Sequence, residues 1–310
     1  MEFFRRFGPL RWSKYVVKYW GGKRAVIAVP YLWLFLFFLV PFVIVFKISF
    51  SEVATAQPPY EPLIQRLEDL SYAIKINLNN YAYLFTDDLY YSSYLYSLKV
   101  AAVSTFWCLL VGYPMAYAIA RATPAQRNLY LMLIILPFWS SFLLRVYAWI
   151  GLLKTDGVIN LFAGLFGLGP YTMMYTNFAV YIGIVYSYLP FMILPLYSNL
   201  EKHDFTLIEA AQDLGASPAK AFFRITLPLS LPGIVAGCLL VFIPAVGEYV
   251  IPSLLGSSDQ LMIGRVLTDE FFSNRDWPVA SAVAIVMLLL LLLPIIWFQR
   301  FQNRELEAKK

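Results

Sequence analysis

A single acidic residue lies inside one of the long apolar stretches of this chain, and it is the first candidate for chemistry. Glu248 occurs in Ala-Val-Gly-Glu-Tyr-Val-Ile-Pro (245–252), within a run that is otherwise apolar. An ionisable group in such a position is costly and usually faces a polar cavity or a charged partner. We therefore expect Glu248 either to supply negative potential to a pathway for cations or to form a structural ion pair with Arg145 or Arg265.

Aromatic side chains could complete a site for an ammonium group, because the face of an aromatic ring attracts a cation. The chain is rich in them: Phe, Trp and Tyr make up 18% of its residues, so any single one is more commonly a packing residue. The candidates that accompany Glu248 are Tyr249, Trp139, Tyr147 and Tyr188. Together these five residues form the predicted substrate pathway.

Groups for covalent or metal chemistry are few. The two cysteines, Cys108 and Cys238, both fall in apolar runs, where we expect a packing role and neither a disulfide framework nor a metal site. The one histidine, His203, lies in a polar loop, away from any serine within an apolar run, so it cannot form a serine–histidine pair there. The sequence therefore predicts no catalytic residue and no metal ligand.

A second pattern lies in the polar loop 201–230, between two apolar runs. It reads E-A-A-x3-G-x9-I-x-L-P and consists of Glu209, Ala210, Ala211, Gly215, Ile225, Leu227 and Pro228. Thr206 and Glu209 form a T-x-x-E capping box, which predicts a short helix that starts directly after the threonine. Gly215 suits the left-handed residue that ends this helix, and Pro218 suits the first turn of a second one. Pro228 is expected to stop the second helix before the next apolar run.

Six apolar runs must position these residues. The chain is 60% apolar and 14% charged, with a mean hydropathy of +0.64, which is too apolar for an ordinary soluble domain. Each run exceeds the roughly 20 residues that cross about 30 Å of hydrocarbon. Proline occurs in every run, which favours helices that bend. The runs lie near 26–50, 97–120, 129–151, 178–200, 232–254 and 279–299.

The distribution of charge predicts the orientation in the membrane. Residues 1–25 carry seven basic groups against one acid, whereas residues 51–95 carry six acids against two basic groups. By the positive-inside rule, the cytosolic parts are both termini and the loops 121–128 and 201–230. The outward parts are 51–95, 152–177 and 255–278. This topology accounts for the net charge of +5, so no nucleic-acid partner is required.

The predicted fold class is an all-α integral membrane protein with six transmembrane helices. We divide it into a basic amino-terminal segment at 1–25, a six-span domain at 26–299 and a tail at 300–310. The amino-terminal segment is expected to lie against anionic headgroups of the bilayer. Within the six-span domain, 51–95 is expected to form a partly helical outer cap, because it is too charged for a further span.

The pattern in the 201–230 loop resembles the signature of permease subunits of ATP-binding-cassette (ABC) importers. All of its defining positions are present; by itself, Glu209 could be only a helix cap beside two good helix formers, Ala210 and Ala211. The resemblance implies a type I importer fold, in which this loop is a coupling helix that docks into a groove of a cytosolic ATPase. It also implies location in a bacterial inner membrane.

Further motifs resemble the spermidine/putrescine permeases, and most of all the first permease subunit of putrescine importers. They are Pro137-Phe138-Trp139, Arg145-Val146-Tyr147-Ala148-Trp149, Gly247-Glu248-Tyr249 and Asn274-Arg275-Asp276-Trp277-Pro278. The resemblance covers nearly the whole chain. It implies three kinds of partner: a second, related permease that completes a heterodimer, a cytosolic ABC ATPase dimer, and a periplasmic polyamine-binding protein. The overall likeness favours putrescine as the substrate, and the alternatives are spermidine, another cation or an importer for another substrate.

The expected activity is transport without a catalytic site in this chain. No G-x4-G-K-[ST] sequence for phosphate binding is present, so we expect no cofactor here and ATP bound by the partner ATPase. A proton-coupled secondary polyamine carrier would also use an intramembrane carboxylate, but such carriers commonly have ten or more spans with repeats. An intramembrane hydrolase is disfavoured by the position of His203. Co-purification with an ATPase would separate the importer from both alternatives.

Overall fold

The computed structural model describes residues 22–66, 72–259 and 261–308, so most of the predicted amino-terminal segment 1–25 lies outside the described residues. The described residues group into two compact units. The first comprises residues up to Asn80 together with Asp276–Ile285, and the second comprises Tyr81–Arg275 together with the residues from Val286 onward.

The first unit begins with an apolar helical segment that is long enough to cross a membrane, Val26–Ile48. This segment lies within three consecutive helical elements, α1 (Gly22–Leu34), a π-helical turn (Phe35–Leu39) and α2 (Val40–Ile48). Two short antiparallel strands follow, β1 (Ile64–Arg66) and β2 (Tyr72–Ile74), with Ile64 opposite Ile74. Nδ2 of Asn80 donates hydrogen bonds of 2.9 Å to the carbonyl oxygens of Ser49 and Ser51. In the described part of 51–95 the strands form a small β-ribbon, and helices occupy Asn79–Thr86 and the residues from Asp88 onward.

The other regular elements of the described chain are helices. In order they are α3 (Asn79–Thr86), α4 (Asp88–Ala120), α5 (Pro124–Ile135), α6 (Phe142–Leu153), α7 (Val158–Gly164), α8 (Asn177–Leu200), α9 (Thr206–Asp213), α10 (Pro218–Ala221), α11 (Leu227–Leu229), α12 (Leu231–Val246), α13 (Val250–Leu255), α14 (Ile263–Phe272) and α15 (Trp277–Ala308). A 3₁₀ turn (Leu136–Trp139) follows α5, and a π-helical turn (Phe222–Thr226) joins α10 to α11.

The second unit is centred on α4, α8 and α12, which pack against one another. Glycines let these helices approach closely, as is common between membrane helices. A Cβ added at Gly237 of α12 would lie 2.8 Å from Sδ of Met192 on α8, and one at Gly183 of α8 would lie 2.8 Å from Cγ2 of Ile251 on α13. Helix α8 is therefore held tightly against both α12 and α13.

Four of the predicted spans are continuous in helical structure: Val26–Ile48, Asp88–Ala120, Asn177–Leu200 and Trp277–Arg300. The other two apolar runs, at 129–151 and 232–254, contain interrupted helices, as the prolines in them allowed. The first is bent by 92° between Pro124–Trp139 and Phe142–Gly164. The second ends as a helix at Val246 and resumes at Val250, and its helix α12 also meets the preceding Pro218–Leu229 at 64°.

Candidate functional site

An aspartate, Asp204, caps the first helix of the 201–230 loop. Oδ1 of Asp204 accepts hydrogen bonds from the backbone N of Thr206 at 3.0 Å and from its hydroxyl at 2.7 Å. These bonds hold the pKa of Asp204 below its usual range. Thr206 is already helical and its own side chain caps nothing, so the predicted capping box with Glu209 is wrong. The charged oxygen of Asp204, two residues earlier, is the stronger acceptor and takes that place.

The end of α9 is as the sequence predicts. Gly215 has a φ of +83°, and its N donates to the carbonyl oxygen of Gln212 at 2.8 Å. The N of Ala216 donates to the carbonyl oxygen of Ala211 at 3.0 Å. This pair of bonds is a Schellman motif, and it places the carbonyl of the signature residue Ala211 in the turn. The prediction of a left-handed residue at Gly215 is therefore confirmed.

The second half of the loop follows the prediction at its start and departs from it at its end. Pro218 occupies the first turn of α10, where Oγ of Ser217 accepts from the N of Lys220 at 3.4 Å. Pro228, however, lies inside α11, and the chain bends at Ser230 instead. The expectation that Pro228 stops the helix is thus wrong. A π-helical turn precedes it, and this wider turn accommodates the proline ring and its missing N–H.

The signature positions of the loop are accessible to a partner. Glu209, Ala210, Gly215 and Pro228 are exposed, whereas Ala211, Ile225 and Leu227 are half-buried. Between them Leu214 is 90% exposed and Phe223 63% exposed. Leu214 lies at the turn that ends α9 and Phe223 in the π-helical turn, and exposed apolar side chains of this kind are suited to insertion into a groove of another protein. The sequence pattern did not single out Leu214 or Phe223.

On its other side the loop packs against α4. Phe205 and Phe222 contact Tyr117 with ring centroids 6.4 and 6.0 Å away, and Phe222 also contacts Tyr113 at 5.7 Å. Arg121 lies over the rings of Phe205 and Tyr117, at 5.4 and 5.7 Å. Sequence reasoning missed this group of side chains, because the residues on α4 belong to no motif and lie 84 or more positions before those of the loop.

Glu248 lies in the three-residue break between α12 and α13 and is only 7% exposed. Its Oε1 accepts from the backbone N of Val250 at 3.0 Å and of Ile251 at 3.3 Å. Its Oε2 accepts from the hydroxyl of Tyr188 on α8 at 2.5 Å. The carboxylate therefore satisfies the first donors of α13, which is the arrangement that a helix N-terminus favours.

The break at Glu248 is enclosed by the start of α14. A Cβ added at Gly264 would lie 2.3 Å from the carbonyl oxygen of Gly247 and 2.9 Å from that of Glu248. The N of Ile263, one residue earlier, donates to Oγ of Ser97 on α4 at 2.8 Å. Only a glycine fits at 264, so the backbone of the break is buttressed by α14, which α4 holds in turn.

The expected ionic partners of Glu248 are engaged elsewhere. Nη1 of Arg145 donates to the carbonyl oxygen of Pro137 at 3.0 Å, and Nε of Arg265 lies 3.9 Å from Oδ2 of Asp269. Within 72–259 and 261–308, Glu248 forms no salt bridge. The interpretation as an ion pair with Arg145 or Arg265 is therefore wrong. Neutral donors satisfy this carboxylate, so its negative charge is not cancelled by a cation.

The predicted aromatic residues are only partly brought together. Tyr188 contacts Glu248 directly, and Tyr249 follows it in the chain and is 44% exposed. Trp139 and Tyr147 are 84% and 56% exposed, and in the part of the chain that the structure describes neither makes a hydrogen bond or ring contact with Glu248. Their place in a substrate pathway remains a prediction. The same described residues contain no cluster of His, Cys, Asp or Glu that could hold a metal.

Comparison with known proteins identifies the class. Residues 24–307 match the family described as "Binding-protein-dependent transport system inner membrane component". Among curated relatives, the "Spermidine/putrescine transport system permease protein PotB" of Haemophilus influenzae is 39% identical over 93% of this chain and 97% of its own. The protein of that name from Escherichia coli K12 is 43% identical over 75% of this chain and 86% of its own.

Solved structures share the fold. The crystal structure of a bacterial ABC transporter that imports alginate contains a chain similar to this one with a TM-score of 0.67 and 17% identity, covering 96% of this chain and 99% of that one. A second alginate transporter structure, with a periplasmic protein bound to an alginate pentasaccharide, has a TM-score of 0.69 and 16% identity over 93% and 96% of the two chains. At this identity the likeness concerns the fold alone.

This chain belongs to the family of inner-membrane components of binding-protein-dependent transport systems. It is thus a multi-pass inner-membrane permease subunit with the type I ABC importer fold. Like its relatives, it is a transport component. In such systems other chains hydrolyse ATP.

Proposed function

We propose that this chain is one of two related permease subunits of an ATP-driven polyamine importer and forms half of its translocation pathway. The observation that carries the substrate class is its 39–45% identity to permeases whose names specify spermidine and putrescine. That identity extends over 71–93% of this chain. Because those names include both polyamines, putrescine as the preferred substrate rests on the overall likeness noted from the sequence.

The 201–230 loop is proposed as the contact with the ATPase dimer. Its support is the full signature from Glu209 to Pro228, the rigid turn at Gly215 and the exposed side chains of Leu214 and Phe223. Closure of the ATPase, which binds the ATP, would move this loop. The loop would then move α8 and α12, the helices that it joins. A periplasmic polyamine-binding protein would deliver the substrate on the opposite side.

The proposed orientation puts both termini and the 201–230 loop in the cytosol. It rests on the excess of basic residues at 1–25 and on the acidic composition of 51–95. If each bent helix pair is counted as one span, the chain has six spans. This number is even and therefore agrees with both termini on one side of the membrane.

The break at Glu248 is proposed as a point on the pathway. The carbonyl end of α12 and the carboxylate of Glu248 meet there, and both attract a cation. Two unit charges about 4 Å apart are worth about 4 kcal/mol at an effective dielectric constant near 20, before desolvation. Tyr188 and Tyr249 supply ring faces beside the carboxylate. Trp139 and Tyr147 belong to the proposed pathway on sequence grounds only.

Import by the reconstituted complex tests the substrate class. Proteoliposomes that contain this chain, its partner permease and the ATPase are supplied with binding protein and labelled putrescine or spermidine. We expect ATP-dependent uptake of at least one of them and none of an uncharged solute of similar size. A binding protein that binds neither polyamine, together with no uptake of either, would refute the substrate assignment and leave the permease assignment intact.

Glu248→Gln tests the pathway. The amide oxygen keeps an acceptor for the N of Val250 and Ile251, and the amide nitrogen can donate to the hydroxyl oxygen of Tyr188. The charge is thus removed with the contacts kept, although the bond to Tyr188 is reversed in direction. We expect uptake at subsaturating polyamine to fall by about tenfold or more while assembly persists. The control is Glu270→Gln, since Glu270 is another buried carboxylate with a tyrosine donor, Tyr90 at 2.8 Å. Equal uptake by the two variants would remove Glu248 from the pathway.

A further inference from the structure

We infer that the 201–230 loop is attached to α4 by hydrogen bonds and edge-to-face aromatic contacts, so that movement of the loop is passed to a helix that does not adjoin the loop in the chain. Tyr113 on α4 and Ser230 at the end of the loop are the positioning residues of this contact. The inference rests on the proposed coupling function of the loop and adds α4 to the helices that the loop moves.

A chain of two hydrogen bonds joins α4 to the signature of the loop. Oγ of Ser230 donates to the carbonyl oxygen of Leu227 at 2.8 Å, and it lies 2.9 Å from the hydroxyl of Tyr113. Because the proton of Ser230 is used on Leu227, the hydroxyl of Tyr113 is the donor in the second bond. Ser230 is fully buried and Tyr113 is 8% exposed, so water does not compete for either group.

The bonded carbonyl lies where the helix is interrupted. Leu227 belongs to α11, which ends one residue before Ser230, and the chain then bends by 64° into α12. A carbonyl at such an end needs a side-chain or water partner. Ser230 supplies the partner through both its hydroxyl and its N, the latter at 3.2 Å. The bond from Tyr113 therefore acts on the bend itself.

Aromatic rings hold the loop at both of its ends. Phe205 precedes α9 and packs edge-on against Tyr117, with an interplanar angle of 75°. Phe222 follows α10 and packs edge-on against both Tyr113 and Tyr117, at 89° in each case. Arg121 at the end of α4 covers the Phe205 ring and donates to the hydroxyl of Tyr117 at 3.1 Å. Edge-to-face pairs add to the free energy of apolar burial, so the loop and α4 move most readily as one body.

The geometry distinguishes this contact from general packing. Loss of the Tyr113 hydroxyl leaves its ring and all ring contacts in place and removes one bond between α4 and the bend. If that bond passes on movement, its loss should reduce the transport obtained from each ATP and leave assembly unchanged. A purely structural bond would instead reduce the amount of complex.

The test uses the whole complex in proteoliposomes and measures labelled putrescine imported per ATP hydrolysed. The variants are Tyr113→Phe, Ser230→Ala and the double variant, with Ser230→Thr as the variant that keeps a hydroxyl. Tyr130→Phe is the control, because Tyr130 is 40% exposed on α5 and its hydroxyl makes no hydrogen bond in the described part of the chain. We expect a ratio about fivefold lower for Tyr113→Phe, as one net hydrogen bond corresponds to roughly this factor. The double variant should be little worse than either single one, and Ser230→Thr and Tyr130→Phe should match wild type.

Three results would overturn the inference: an unchanged ratio in Tyr113→Phe, strictly additive losses in the double variant, or loss of ATPase co-purification in Tyr113→Phe. Failure of the proposed function is seen separately in the wild-type complex. If wild type imports a different solute, the substrate assignment is wrong, and the same ratio measured with that solute still decides whether Tyr113 and Ser230 act together.

Discussion

At the scale of single residues, the position of Glu248 in an apolar run can be predicted from the sequence, but its hydrogen-bond partners cannot. Its isolation as an acid in an apolar run is evident from the sequence. Its environment is not, because its main side-chain partner, Tyr188, is 60 positions away on another helix. A charge in such a run suggested a cation as partner, whereas the structure satisfies it with one hydroxyl and two backbone N–H groups. Tertiary packing supplied donors that spacing along the chain cannot specify.

The bond from Tyr188 is testable by itself. Tyr188→Phe keeps the ring in the core but leaves Oε2 of Glu248 without its donor. Because hydrogen bonds to charged, buried groups are worth about 1.5–3 kcal/mol, we expect a lower midpoint of thermal unfolding for the purified complex. Tyr186→Phe, two residues earlier on α8, is the control, since Tyr186 is 39% exposed, its ring packs against Trp149, and its hydroxyl makes no hydrogen bond among the described residues. Equal midpoints for the two variants would contradict the role given to Tyr188.

At the scale of elements, hydropathy located the six apolar runs but did not indicate which of them contain a broken helix. Both breaks follow a proline by a few residues: Pro137 precedes the bend at Ser140, and Pro244 precedes the end of α12 at Val246. Since every predicted span contains a proline, proline alone did not indicate which helices would break. The 92° bend depends on three donors to the carbonyl of Pro137, from the N and hydroxyl of Ser140 and from Arg145. Those contacts form only in the folded chain.

The 201–230 loop shows the same division between local and tertiary causes. Its turn at Gly215 and its second start at Pro218 were predictable, because one residue with a special backbone preference fixes each. The cap of the first helix was not predictable, because Asp204 caps it in place of Thr206. The continuation of the helix past Pro228 was not predictable either, because it depends on the preceding π-helical turn. The packing of the loop on α4 has no signal in the sequence at all.

Gly215→Val tests the loop as an element. The φ of +83° costs a residue with a Cβ about 1–2 kcal/mol, and nothing lies within 4 Å of the added Cβ, so strain in the turn is the sole expected effect. We expect normal membrane insertion with reduced association of the ATPase, or reduced ATP hydrolysis when substrate-loaded binding protein is added.

The matched control for this substitution is Gly151→Val. Gly151 lies within helix α6, and an added Cβ there also meets nothing within 4 Å, but its φ is not positive. A Gly215→Val complex that assembles and transports as well as the Gly151→Val complex would show that the geometry of this turn is not needed for coupling.

At the scale of the whole molecule, the charge pattern along the chain predicts which loops share a side of the membrane. The loops at 51–95 and 201–230 are expected on opposite sides, and the first is acidic while the amino-terminal segment is basic. Family membership explains why such a chain lies in the inner membrane but leaves the orientation to this argument.

Labelling of single cysteines tests the orientation. In a background of Cys108→Ala and Cys238→Ala, Asp88→Cys and Lys220→Cys each introduce a thiol at an exposed position. Asp88 is preferred to Asp87, because the side chain of Asp87 caps α4 by accepting from the N of Leu89. An impermeant thiol reagent should label position 88 in intact cells and position 220 only after the membrane is opened. Labelling of position 220 from outside would show that the topology is the reverse of the proposed one and that the loop cannot contact a cytosolic ATPase.

The most informative measurement is whether ATP or a proton gradient drives transport by this permease. Uptake of labelled putrescine and spermidine is measured in proteoliposomes that hold the complete complex, with and without ATP on the ATPase side, and with a protonophore as a further condition. We expect uptake that requires ATP and binding protein, is unaffected by the protonophore, and is lost when the partner ATPase cannot hydrolyse ATP. Uptake that continues without ATP and collapses with the protonophore would contradict this expectation and identify a proton-coupled carrier.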